Sequence, residues 1–358
     1  MTPRYADPWH VRCSAVSRRT WTLLVSLGLA IALGLLGALA AVPYVALGPG
    51  PTFDTLGVVA GKPVVDIRGT RTYPTSGHLN MTTVSVVDNI TLYGALALWI
   101  SGRSELVPRD EIFPPALSEQ QVEKQNQQMF RDSEANARAA ALRYLGYPTK
   151  VVLVQVVPNG AVSGKLAVGD RLLALDGREL HSAQQVVDLL AGSHPGQLAR
   201  IRFQRGAAPP QEVAVTLGAG AQPGHGYLGV GVTERPDVNF TIAITLADVG
   251  GPSAGLMFAL AIVDKLTPGG ALAGNTFVAG TGEIAPEGQV GPIGGIPLKM
   301  LRAREAGASV FLVPAGNCAE AAQRDPAGLR LVRVATLADA VHALEEIRAG
   351  QRPRGCTT

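Results

Sequence analysis

Cysteine is scarce in these 358 residues: only Cys13, Cys318 and Cys356 occur. They are odd in number and widely separated, with neither metal-ligand spacing nor a disulfide framework. Three unpaired thiols are the simplest expectation, and a single bridge stays open. Charge is sparse too. Charged residues make up 16% of the chain, against about 25% in ordinary globular proteins. The formal charge of +3 is scattered, which leaves no basic footprint for a nucleic acid. A phosphate-cradling G-x-x-x-x-G-K-[ST] loop is also missing, since GAVSGKL at Gly160–Leu166 is too short. No ATP, metal or other cofactor is therefore expected.

What abounds is apolar: 47% of the residues are hydrophobic, which suits globular domains plus some membrane. Trp21–Leu47 runs 27 residues without a charge, longer than the ~20 needed to cross a bilayer as a helix. Arg4, Arg12, Arg18 and Arg19 precede it, while only Asp54 and Lys62 follow closely. The positive-inside bias then keeps residues 1–20 cytoplasmic and sends the chain after about residue 48 across. Ala38-Leu39-Ala40 resembles a signal-peptidase site. Such signals have apolar cores of about 7–15 residues, so an uncleaved anchor over 21–47 fits better. A buried soluble helix fits worst.

Beyond the anchor, GPGP at Gly48–Pro51 reads as a helix breaker that opens a linker over 48–146. Pro63–Arg68 and Leu79–Val87 are strand-like, and Pro114–Leu145 changes to a charged, Gln-rich helical pattern that reads as a solvated connector. Two short strands alone would be unstable and need partners elsewhere in the chain. Residues 147–217 read as a separate β-rich module. VVLVQVV is an apolar strand, GDRLLALDG a second, and ARIRFQR and QEVAVTL alternate like a pair. Ser182 and Gln185 have capping-box spacing for a helix through Leu190.

That arrangement resembles a PDZ domain over about seventy residues. Such domains bind an extended chain by adding it as a strand to their own sheet. The resemblance implies a groove along Val151, Val152, Leu153 and Val154, facing the Ser182–Leu190 helix. A carboxylate-binding loop would lie at Tyr147–Lys150, which lacks a Gly-Leu-Gly-Phe-like sequence. The alternative is a β-domain without a ligand.

The stretch from Phe240 to Asn317 carries chemistry. TIAITLADVG leads into GGPSAGLMFALAIVDKL, with Pro252 suited to a helix's first turn and an apolar run after Ser253. A serine there reads as a cap, or as a nucleophile served by helix-terminal amides. GPSAG also fits a G-x-S-x-G elbow with a Ser-His-Asp triad. The elbow requires its serine directly after a strand, whereas ADVGGP intervenes. The sole downstream His, His342, sits in a charged amphipathic helix one turn after Asp339. Among lysines, Lys265 lies twelve residues along the same helix, about 18 Å away. Lys299 follows VGPIGGIPLK and opens a helix near Ile296, so it can point at the head of the serine helix. Burial would lower its pKa and let it take a serine proton.

GGPSAG, then TGEIAPEGQVGPIGGIPLK, then the strand VFLVPAGN resemble the proteolytic domain of Lon proteases over about ninety residues. The resemblance implies an α+β domain over 225–348, with Ser253 as nucleophile, Lys299 as base and Thr281 holding the lysine. Amides around Gly251, Pro252 and Ala254 would contribute to an oxyanion hole. In many Lon enzymes an acidic residue stands just before the glycine at position 251, but Gly250 is here and the nearest acid is Asp248, whose role stays open. Anchor, PDZ-like module and Lon-type domain in this order resemble membrane-bound bacterial PDZ–Lon proteases. That implies a multi-domain endopeptidase acting outside the membrane on unfolded or flexible proteins, without ATP, in a homo-hexameric ring. An anchored PDZ scaffold with an inactive protease-like domain is the alternative. Residues 349–358 read as a disordered tail.

Overall fold

The computed structural model describes residues 18–220, 224–246 and 249–356. Its principal elements begin with helix α1 (Arg18–Leu39), strands β1 (Tyr44–Asp54), β2 (Val65–Arg68) and β3 (His78–Val87), helix α2 (Leu92–Ile100), strand β4 (Glu105–Pro108) and helix α3 (Glu119–Tyr144). Next come β5 (Thr149–Val156), β6 (Arg171–Leu175), α4 (Ala183–Ala191), β7 (Leu198–Gln204), β8 (Gln211–Thr216) and β9 (Val230–Pro236). The last third holds β10 (Thr241–Ile244), α5 (Gly255–Leu266), β11 (Phe277–Gly280), β12 (Glu283–Ile284) and β13 (Val290–Gly291). It ends with α6 (Ile296–Glu305), β14 (Val310–Pro314), α7 (Cys318–Gln323), β15 (Arg330–Val334) and α8 (Leu337–Arg348). The chain divides into two compact units, Met1–Gly48 with Ser85–Ala116, and Pro49–Val84 with Leu117–Thr358.

In the first unit, α1 is the one helix among the described residues long and apolar enough to cross a bilayer, by length and composition. It is shorter than the apolar run. The helix stops at Leu39 and Tyr44 begins a strand, because Pro43 disfavours helical backbone at the residue before it. Ala41 instead bridges to Thr91, and the Val42 N–H donates to the Ile90 carbonyl at 2.9 Å. β1 and β4 pair antiparallel from Tyr44 opposite Pro108 to Leu47 opposite Glu105. Ala46, Ile90 and Ala95 form a small core against Val42, Leu98 and Leu106. The GPGP run breaks nothing and lies inside β1. Past Leu47 that strand has no β4 partner, so prolines without an N–H are tolerated there.

The second unit is built on a sheet in the order β15-β14-β11-β3-β1. β11 pairs parallel with both β3 and β14, and β14 with β15. Parallel pairing needs crossover helices that cover the faces. On one face α5, α3 and α8 enclose Leu79, Met81, Val278, Leu312 and Val332; on the other, α6 packs over Ala279, Phe311 and Val313. β2 pairs antiparallel with β10. Helix α3 is no solvated connector. It starts with a Ser118–Gln121 capping box and buries Val122, Phe130, Ser133, Ala137 and Ala140–Leu142, with the Phe130 ring edge-on to Phe258 of α5 at 5.8 Å.

The second sheet of this unit runs β8-β7-β6-β5-β9, around a core that includes Leu153, Leu172, Ile201 and Val215. Ser182 and Gln185 cap α4 reciprocally. Beyond residue 217, β9 adds a further strand to this sheet, paired antiparallel with β5. At the C-terminus, Cys318 and Cys356 are joined by a disulfide, correcting the expectation of three unpaired thiols. Cys13 lies outside the described residues. Nor is the tail through Cys356 loose, since Arg333 N–H donates to the Arg354 carbonyl at 2.9 Å. The 38-residue separation hid the pairing: it depends on how α7 and β15 pack, which spacing alone does not reveal.

Candidate active site

Ser253 stands two residues before α5, on a turn that begins with Gly251 at φ +83°, a backbone state that favours glycine. Gly255 lets this turn sit tightly: a Cβ there would lie 2.8 Å from Ile284 Cγ2 and 2.9 Å from Ser133 Oγ. The Ser253 carbonyl accepts from the Gly282 N–H at 2.8 Å and from the Thr281 hydroxyl at 3.0 Å. Thr281, fully buried just past β11, is therefore tied to the serine's backbone.

Lys299 lies on the first turn of α6 and is only 4% exposed. Its Nζ donates to Thr281 Oγ1 at 3.2 Å. Desolvation lowers its pKa from the ordinary lysine value of 10.5 to about 8, the Glu283 charge pulling weakly the other way. Burial disfavours an ammonium because its hydration is lost. The structure thus gathers Ser253, Thr281 and Lys299 into one hydrogen-bonded group, in which the lysine reaches the serine residue through the threonine hydroxyl.

Other candidates separate. His342 is exposed, its ring nitrogens against Glu345 and Glu346 at 4.0 and 3.6 Å. Asp339 accepts from the Ala335 and Thr336 N–H groups at 3.0 Å, capping α8. Among the described residues no Ser253–His342–Asp339 triad is assembled. Lys265 spends its Nζ on the Val65 carbonyl at 2.6 Å. Asp248 lies outside the described residues.

The expected oxyanion donors need one correction. The Gly251 N–H already donates to the Asn126 carbonyl of α3 at 3.0 Å, and Pro252 has no N–H. Helix α3 supplies a further contact that the sequence reading missed: Ser133 Oγ donates to the Pro252 carbonyl at 2.9 Å. Beside Pro252 opens a cavity of about 260 Å³, lined by Met129, Asp132, Asn136, Glu283 and Ile284 among others.

The groove expected along β5 is closed on both sides. Val151 and Val152 pair with β6 on one side and β9 on the other, so β5 has no free edge for an added strand. Val151, Val152 and Leu153 are buried; Val154 belongs to the same interior strand. The edge strand on that side is β9, close to α4, whose Ala183 N–H donates to Glu234 Oε1 at 3.0 Å. Ahead of β9 stands Gly226-Tyr227-Leu228-Gly229.

Comparison with known proteins gives the same two modules. Residues 238–343 match the family described as Lon protease (S16) C-terminal proteolytic domain, and residues 120–217 match the PDZ domain family. The chain is 36% identical to a Lon protease of Azospirillum brasilense over 115 residues, 31% of this chain and 14% of that protein. Against Lon protease of Escherichia coli K12 it is 38% identical over 87 residues, 24% of this chain and 10% of that protein. The matches thus span a small fraction of those relatives' length. Among solved structures, the PDZ domain of an SdrC-like protein from Listeria monocytogenes is 21% identical, covering 23% of this chain and 85% of that one at a TM-score of 0.22. The chain combines a PDZ domain with the C-terminal proteolytic domain of Lon proteases.

Proposed function

We propose that the chain is a membrane-anchored endopeptidase in which Ser253 is acylated by the substrate and Lys299 is the base. The observation that carries this reading is the buried lysine, brought to a pKa of about 8 by desolvation and held by Thr281. Neutral Lys299 takes the Ser253 proton as the hydroxyl oxygen attacks the peptide carbonyl, and returns it to the leaving amine. It then activates water to hydrolyse the ester. The Ser253 and Ala254 amides, at the head of α5, stabilise the oxyanion, and the cavity beside Pro252 receives a substrate side chain. No ATP enters these steps, and the sequence has no Walker A loop. We place the catalytic domain outside the cytoplasm, supported by the arginines before α1 and by the Cys318–Cys356 disulfide, a bond favoured in oxidising compartments. Substrate chains or regulatory peptides add to the free edge of β9 beside α4, and the Lon-type resemblance favours a homo-hexameric ring.

The test is cleavage of casein by the purified protein without ATP. Ser253→Ala and Lys299→Ala should each abolish cleavage, and His342→Ala should leave it unchanged. Loss with His342→Ala but not with Lys299→Ala would transfer the assignment to a triad hydrolase. A silent wild type that still binds peptides would favour the scaffold reading.

A further inference from the structure

The first unit carries an apolar surface that the catalytic reading does not use. Helix α2, LYGALALWI, has no charged residue. Its inner face, Ala95 and Leu98, packs into the small core with Ala46 and Ile90. Leu92, Tyr93, Leu96, Trp99 and Ile100 point outward, with Trp99 and Ile100 still 66% and 70% exposed. Positions 92, 96 and 99/100 follow helical spacing, so these side chains form one stripe. A depression of about 250 Å³ beside it is lined by Val42, Tyr44, Leu96, Trp99 and Leu106.

The position of this stripe names its partner. α1 is 22 residues long, about 33 Å at 1.5 Å per residue, just enough for a hydrocarbon core of ~30 Å. Near its C-terminal end, Gly37 packs so closely on Tyr93 that a Cβ would lie 2.8 Å from the ring. The Ala41–Thr91 bridge repeats the link two residues beyond α1. The apolar surface of α2 therefore continues that of α1 at the depth where a spanning helix leaves the bilayer. Tyr93 and Trp99 belong to the ring types that favour this interface. The helix is also fixed in orientation. Thr91 accepts from the Gly94 N–H at 3.2 Å, and Arg109 forks onto both carboxylate oxygens of Asp88 at 2.8–3.1 Å.

We propose that α2 is a second membrane attachment, lying in the interface of the bilayer that α1 crosses with its outward stripe among the acyl chains. This rests on reading α1 as a membrane anchor. Because α2 is covalently tied to an anchored helix, its insertion is an intramolecular step and needs no separate encounter. A helix lying in the interface is held by its buried apolar area.

The full chain, reconstituted in phosphatidylcholine vesicles, supplies the test. In Trp9→Phe/Trp21→Phe, Trp99 is the sole fluorophore; in Trp9→Phe/Trp99→Phe, it is Trp21. Lipids brominated high on the acyl chain should quench Trp99 by about twofold or more, with acrylamide quenching weak, as expected for a ring in the interface. Trp99 quenched by acrylamide and untouched by bromolipid, with Trp21 still bromolipid-quenched, would sink the attachment and leave the anchor. Trp99 shielded from both quenchers would assign the stripe to a protein partner or a second copy, which also overturns the proposal. If neither tryptophan responds to bromolipid, the anchor reading falls together with it.

Discussion

Lys299→Met should stop peptide cleavage and at the same time make the protein harder to unfold. The lysine's descent from 10.5 to about 8 corresponds to about 3 kcal/mol of destabilised ammonium. The folded state carries this in full at pH below about 8, where the lysine is protonated both folded and unfolded. Between about pH 8 and 10.5 the folded protein has lost the proton while the unfolded chain keeps it, so stability rises with pH. Above that window the penalty is gone. Methionine fills a similar volume without a charge. The substitution forfeits the bond to Thr281 Oγ1, but that hydroxyl still donates to the Ser253 carbonyl, so no buried donor is orphaned. A net gain of about 2 kcal/mol at pH 7 follows, a rise of several degrees in Tm. Thermal unfolding of wild type and variant in detergent, at unit steps from pH 6 to 11, checks it. The variant's advantage should be constant to about pH 8 and shrink beyond. A variant less stable than wild type at pH 7, or an advantage that does not narrow above pH 8, would refute the buried-ammonium argument.

Three further outcomes follow from the same geometry. The kcat/KM for a fixed peptide should climb about tenfold per pH unit below 8 and level off above it, because only neutral Lys299 is competent; a flat profile from pH 6 to 9 would exclude it as the base. Gly255→Ala should cost about 1–3 kcal/mol and most of the activity, since its methyl meets Ile284 and Ser133 below 3.0 Å; denaturant midpoints and casein cleavage measure both. Removing the Cys318–Cys356 bridge by double Ser substitution should lower stability by roughly 2–4 kcal/mol, the upper end being the loop-entropy value for a separation of 38 residues. The same loss should appear on reducing the wild type, and an unchanged Tm would show that the tail does not staple the fold.

The legible features were local. Ser253 and Lys299 stood out because Gly and Pro turns place each at the start of a helix, and the capping pair Ser182–Gln185 is written three residues apart. The α+β class came with the resemblance that these motifs carry. What escaped depends on distant chain. Which PDZ strand keeps a free edge is decided by β9, added after the module seemed complete. The Gly251 amide looked available until α3, more than a hundred residues upstream, was seen to occupy it. The end of the anchor was misplaced because hydropathy does not separate a helix from an apolar strand beginning at Tyr44.

Helix α3 offers the sharpest contrast between the two levels of reading. Its sequence, SEQQVEKQNQQMFRDSEANARAAALRYLG, is polar enough to pass for a solvated linker, yet Val122, Phe130, Ser133, Ala137, Ala140 and Ala141 recur at helical spacing and are all buried. The stripe is hard to see because four of these six side chains are small, Ser or Ala. They add little hydropathy while letting α3 lie close on α5, where Ser133 reaches Pro252 and the Asn126 carbonyl reaches Gly251. The readings differ in energy. In a solvated connector Phe130→Ala would change stability by no more than ~0.5 kcal/mol. As built, Phe130 is 6% exposed and sits edge-on to Phe258, so truncation should cost about 3–4 kcal/mol. It should also slow cleavage, because the floor under the Ser253 turn loosens. Urea unfolding of the variant against wild type decides between them, and a change below 1 kcal/mol with full activity would return α3 to the role of a tether.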